Sequence, residues 1–64
     1  MDISRARELL QQQVELGGGY NRNSAKLILH EVARHHGQAG VDQLILELDL
    51  ETHFGFRPGE KIYV

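Results

Sequence analysis

Val41-Asp42-Gln43-Leu44-Ile45-Leu46-Glu47-Leu48-Asp49-Leu50 is the stretch on which the fold turns. At roughly 100° per residue it places Val41, Leu44, Ile45 and Leu48 on one helical stripe, and Leu46, Leu50 and Phe54 on the opposite side. The same residues also alternate at period two, as a half-buried strand would. Leucine and glutamate favour helix, β-branched residues are few, and the run is long, so the reading adopted is a helix over 40–54. Such a helix has two apolar faces. One closes a core, and a chain of 64 residues has little left to cover the other, so Leu46, Leu50 and Phe54 are expected to meet a second copy or another protein.

Working outward, Gln38-Ala39-Gly40 reads as a short connection from a preceding helix over 23–36. In that helix Ala25, Ile28, Leu29, Val32 and Ala33 follow the i, i+3, i+4, i+7, i+8 pattern, Asn21, Asn23 and Ser24 offer caps, and Gly37 ends it. Arg34, His35 and His36 in its last turn complement the partial negative charge of the exposed carbonyls. A first helix over 2–16 starts at the N-cap Asp2, carries Ile3, Ala6, Leu10 and Val14 on one face, and stops at the flexible corner Gly17-Gly18-Gly19. That triplet follows a helix and lacks the Gly-Lys-Ser/Thr of a phosphate-binding loop. Beyond 54, Pro58-Gly59 marks a turn in an extended tail, with Phe54 and Phe56 as its anchors. The expected architecture is a single all-α domain, 1–64, of three helices with an extended C-terminal tail. Its core draws on Leu10, Val14, Ile28, Leu29, Val32, Leu44, Ile45 and Leu48.

Composition narrows the function classes. With no cysteine among 64 residues there is no disulfide framework and no thiolate metal site, so a reducing cytoplasm is the expected location. Residues 1–10 lack the basic start and apolar run of a signal peptide, and no stretch approaches membrane-spanning length, so no membrane association is expected. A formal charge of −2 is too balanced for general attraction to nucleic acid. It is unevenly spread: residues 1–36 hold five basic and four acidic side chains, residues 37–64 two and five.

Glu31 and His35 share a helix face at the spacing two metal ligands need, and His53 could add a third, but His30 and His35 diverge and the His-Glu-x-x-His pattern is absent. Capping histidines are the preferred reading, with no metal and no cofactor; the four histidines as a pH switch remain an alternative. A helix-turn-helix would present Asp42, Glu47, Asp49 and Glu51 to phosphates, which repels. The end Ile62-Tyr63-Val64 suits strand addition to a PDZ-like groove, though a small core has its own use for those side chains. No nucleophile sits in a recognisable turn, and Glu47 and Glu51, one helical turn apart, read as a solvated face. The expected function is therefore a non-enzymatic protein-protein interaction module, an adaptor or regulatory subunit, self-associating or docking on a larger protein through Leu46, Leu50 and Phe54. The alternative is a small nucleic-acid-binding regulator using Arg22, Lys26 and Arg34.

Overall fold

The computed structural model describes residues 1–17 and 21–62. Three helices follow in order: α1 (Ile3–Leu16), α2 (Asn21–Leu48) and α3 (Leu50–Phe54). Among the described residues there is no strand, so the period-two reading of 44–50 gives way to helix. Asp2 caps α1 as its side chain predicts, with Oδ1 accepting the Arg5 amide at 2.7 Å. At the other end the Gly17 amide donates to the Gln13 carbonyl at 3.2 Å. Gly18, Gly19 and Tyr20, the rest of the expected corner, lie outside the described residues, as do Tyr63 and Val64 of the expected PDZ-like end.

Three boundaries differ from the sequence reading, each for a local reason. α2 begins at Asn21 rather than 23, because the Asn21 side chain turns back and donates its amide to the Gln13 and Gly17 carbonyls at the end of α1. Gln38-Ala39-Gly40 is helical, not a connection. Gly37 alone, at φ 72° and ψ −173°, makes the corner and divides α2 into limbs 21–36 and 38–48. The expected helix over 40–54 breaks at Asp49, which adopts the left-handed conformation (φ 52°, ψ 48°) and starts α3. Aspartate is one of the few non-glycine residues that tolerates this region.

α1 and both limbs of α2 enclose one apolar core of Ala6, Leu10, Ala25, Leu29, Val32, Val41, Leu44, Ile45, Leu50 and Phe56. Val14, Ile28 and Leu48, expected in the core, pack against it half-buried. The tail is extended as expected, and Pro58-Gly59 forms its turn, with Gly59 at φ 86° and the Glu60 amide donating to the Arg57 carbonyl at 3.2 Å. Pro58 presets the first turn position and glycine supplies the positive φ at the second.

Gly40 is buried, and a Cβ placed on it would lie 2.7 Å from His36 Cβ and 3.3 Å from Val32 Cγ1. Neither neighbour is the loose end of a side chain, so the backbone must shift. Gly40→Ala is expected to lose about 1–3 kcal/mol to overpacking, partly offset by the roughly 1 kcal/mol gain of alanine in a helix. A fall in Tm of several degrees by circular dichroism checks this, and an unchanged or raised Tm would place the crowding elsewhere.

Candidate interaction surface

The break at Asp49 redistributes the second apolar stripe. Leu46 stays on the outside of α2, with 71% of its surface exposed, while Leu50 is fully buried and Phe54 packs half-buried against the core. Leu46, Leu50 and Phe54 therefore do not form one exposed face. The left-handed residue between Leu48 and Leu50 turns Leu50 inward, toward the same interior that Leu44 and Ile45 occupy. Among the described residues the other large apolar side chains at the surface are Met1, Leu16 and Leu27, on α1 and the first limb of α2 or just before them.

What covers Leu50 and Phe54 is the chain itself. Gly55 closes α3 in the left-handed region, its amide donating to the Glu51 carbonyl at 2.8 Å, and the Phe56 amide reaches the Leu50 carbonyl at 3.3 Å. Phe56 then enters the core, its ring tilted against Phe54 at a centroid separation of 6.2 Å. Arg22 locks this end. Its Nε donates to the Phe54 carbonyl at 2.9 Å, and its guanidinium carbon lies 4.6 Å above the Phe56 ring, a cation–π contact.

The turn beyond Phe56 is clipped to the second limb of α2. Asp42 Oδ1 accepts the Gly59 amide at 2.8 Å and the Gln38 side-chain amide at 2.8 Å, and Gln38 also donates to the Glu60 carbonyl at 2.9 Å. These donors, Gly59 first and Gln38 second, hold the Asp42 carboxyl below its ordinary range. On the flank of Leu46, Glu47 takes a two-pronged contact from Arg7, Nε to Oε2 at 2.7 Å and Nη2 to Oε1 at 3.2 Å, and a third bond from Gln43 at 2.9 Å. The Arg7 hydrogen bond, seconded by Gln43, lowers the Glu47 pKa; the reciprocal bond raises that of Arg7. Both side chains are more than a third exposed, so the pair fixes geometry more than it stabilises.

The three cations of the nucleic-acid alternative are used differently. Arg22 is committed to Phe54 and Phe56, Arg34 pairs with Glu31 at 3.0 Å, and Lys26 is half-buried. Among the histidines, His35 Nε2 lies 3.4 Å from Glu31 Oε2, His36 Nε2 meets the Met1 carbonyl at 2.9 Å, and His53 stands against Phe54. His30 Nδ1 is buried without a hydrogen-bond partner. The structure brings Glu31 and His35 together but adds no third ligand: among the described residues no group of three histidines or carboxylates could hold a metal. No helix of the described residues is long and apolar enough to cross a membrane. No protein-family model matches the chain, and no curated protein or solved structure is significantly similar to it.

Sequence reasoning missed the Asp49 break and the Asp42 clip. The first had a signal. Aspartate followed by Glu51 in the next turn is a helix start, embedded here in what reads as a helix interior. The second had none, since Asp42 and Gly59 are distant in sequence and only the folded tail brings them together.

Two outcomes follow from this geometry. Leu50→Ala is expected to cost about 2–5 kcal/mol, most of the stability of a domain this small, whereas Leu46→Ala should stay within about 0.5 kcal/mol of wild type. Urea unfolding of the two variants distinguishes them, and equal midpoints would mean that Leu50 is not a core residue. The Asp42 carboxylate, held below its unfolded value, adds stability that is present above about pH 4 and disappears as pH falls through the folded pKa. Asp42→Ala should accordingly lower stability at neutral pH and flatten the acid side of the urea-midpoint profile; a profile parallel to wild type would separate Asp42 from the acid response.

Proposed function

We propose that this chain is a small non-enzymatic interaction module, an adaptor or regulatory subunit of the cytoplasm, that self-associates through the surface of α2 centred on Leu46. The observation that carries the reading is the 71% exposure of Leu46, beside which Gln43 and Glu47 are already hydrogen-bonded. Burying one leucine is worth roughly 1.5–3 kcal/mol before association costs, and a twofold interface buries the same residue twice. Glu47 at the edge of the patch is already paired with Arg7, which reduces the repulsion between two acidic copies. The expected association is weak and reversible. The reading assigns no catalysis and no cofactor to the chain. A nucleic-acid-binding regulator built on Arg22, Lys26 and Arg34 draws less support, because Arg22 and Arg34 are engaged within the chain.

Absolute mass by light scattering over about a hundredfold concentration range tests the proposal. Wild type should move from monomer toward dimer, and Leu46→Glu should remain monomeric with its helix content unchanged. A wild-type monomer throughout, or a Leu46→Glu dimer of the same strength, rules the surface out.

A further inference from the structure

Gly37 divides the described core evenly. Of the ten buried apolar residues among those described, Ala6, Leu10, Ala25, Leu29 and Val32 precede it and Val41, Leu44, Ile45, Leu50 and Phe56 follow it. Five of the polar ties keep to the same division. Asn21 to Gln13 and His36 to Met1 lie within the first half, while Gln38 to Glu60, Asp42 to Gly59 and Arg57 to Glu51 lie within the second. Arg7 to Glu47 and Arg22 to Phe54 and Phe56 join one half to the other. Each half is thus a self-tied unit, and the two meet across an apolar interface sealed by two arginines.

Only one residue separates these halves. Both limbs of α2 are helical up to Gly37, whose φ of 72° and ψ of −173° lie in a region that is essentially closed to every residue but glycine. Rotating that residue into the helical region would straighten α2 into a single helix of 28 residues, about 42 Å long. The second half would then point away from the first, with both apolar faces bare. A second chain opened in the same way carries the complementary faces in the same arrangement, and a hinge as short as one residue invites this exchange.

We infer that a second copy of this chain is a partner by exchange, with Gly37 as the hinge across which two copies trade everything from Gln38 onward. In the exchanged dimer the core and the Arg7–Glu47 and Arg22–Phe56 contacts form between chains instead of within one. Closure relieves neither hinge, whereas exchange relieves two per dimer. This interface goes beyond the Leu46 surface and does not depend on it; exchange requires unpacking the core, so it forms on refolding and not on concentrating the folded wild-type chain, and the light-scattering series reads the Leu46 surface alone.

Gly37→Ala tests the inference. In the closed corner an added Cβ meets nothing within 4 Å, so the whole penalty is conformational, while the straightened helix is the state alanine prefers. The variant should dimerise roughly a hundredfold more tightly than wild type, one factor of about ten for each relieved hinge. Its dimer should survive the added Leu46→Glu substitution, and should persist after dilution because separation requires unpacking the core. Inserting Gly-Ser-Gly after Gly37 should give the opposite result, a monomer at every concentration. A folded Gly37→Ala monomer overturns the inference, as does a dimer abolished by Leu46→Glu. Should Gly37→Ala not fold, refolding from denaturant at high concentration decides: wild type is expected to trap a dilution-resistant dimer that the insertion variant does not, and monomer from both overturns the inference. Failure of the Leu46 surface leaves these outcomes untouched.

Discussion

The left-handed turn at Asp49 governs which apolar side chains this chain can hide from water. A continuous helix through 40–54 would hold Leu50 on the face opposite Leu44 and Ile45, and a 64-residue chain has no layer to place over it. One aspartate in the left-handed region rotates the following turn and delivers Leu50 to the same core. Its cost is small for aspartate, and Thr52 Oγ1 donating to Asp49 Oδ1 at 3.0 Å helps to hold the residue there. The burial of Leu50, worth roughly 1.5–3 kcal/mol, exceeds the strain of order 1 kcal/mol. The position of Phe54, the entry of Phe56 and the grip of Arg22 all follow from where α3 begins.

The general architecture is legible in the sequence because period and capping agree over long stretches. Ile3, Ala6, Leu10 and Val14 with Asp2 before them specify α1, and Ala25, Leu29 and Val32 specify the first limb of α2. The stripe Val41, Leu44, Ile45 and Leu48 is equally direct. The second stripe misleads because helical periodicity extrapolates through a residue that leaves the helix, and no count of apolar positions detects a change of one residue's φ and ψ. The proposed interaction surface suffers most from this: of Leu46, Leu50 and Phe54, only Leu46 keeps the exposure the pattern implies. The tail clip at Asp42 and the double use of Arg22 are illegible for another reason, since both join positions far apart in the chain through side chains that read as ordinary solvated residues.

Among the described residues the core contains no buried charged or polar residue, so hydrogen bonding between side chains in the interior does not single out one packing. Specificity is instead carried by backbone irregularities. Gly37 kinks the chain within α2, Asp49 re-aims α3, and Gly40 lets the second limb approach Ile3, Val32 and His36 closely. Leucines, valines and alanines could pack in several registers at similar cost. These three positions, each tolerant of few other residues, select among them.

Charge is arranged to the same end. Four of the five arginines, Arg5, Arg7, Arg34 and Arg57, face a carboxylate within 4 Å, so much of the basic charge is compensated locally and the long-range field is weak. Arg22 is the exception, since its partners are a neutral carbonyl and an aromatic ring. It stands at the C-terminal end of α3, where the unpaired carbonyl of Phe54 attracts a cation. Only a planar guanidinium can donate to that carbonyl while lying over the Phe56 ring, because a lysine ammonium offers a point charge without a flat face. Arg22 therefore works as a clasp that joins the first half of the molecule to the second, and its charge serves the fold before it serves any partner.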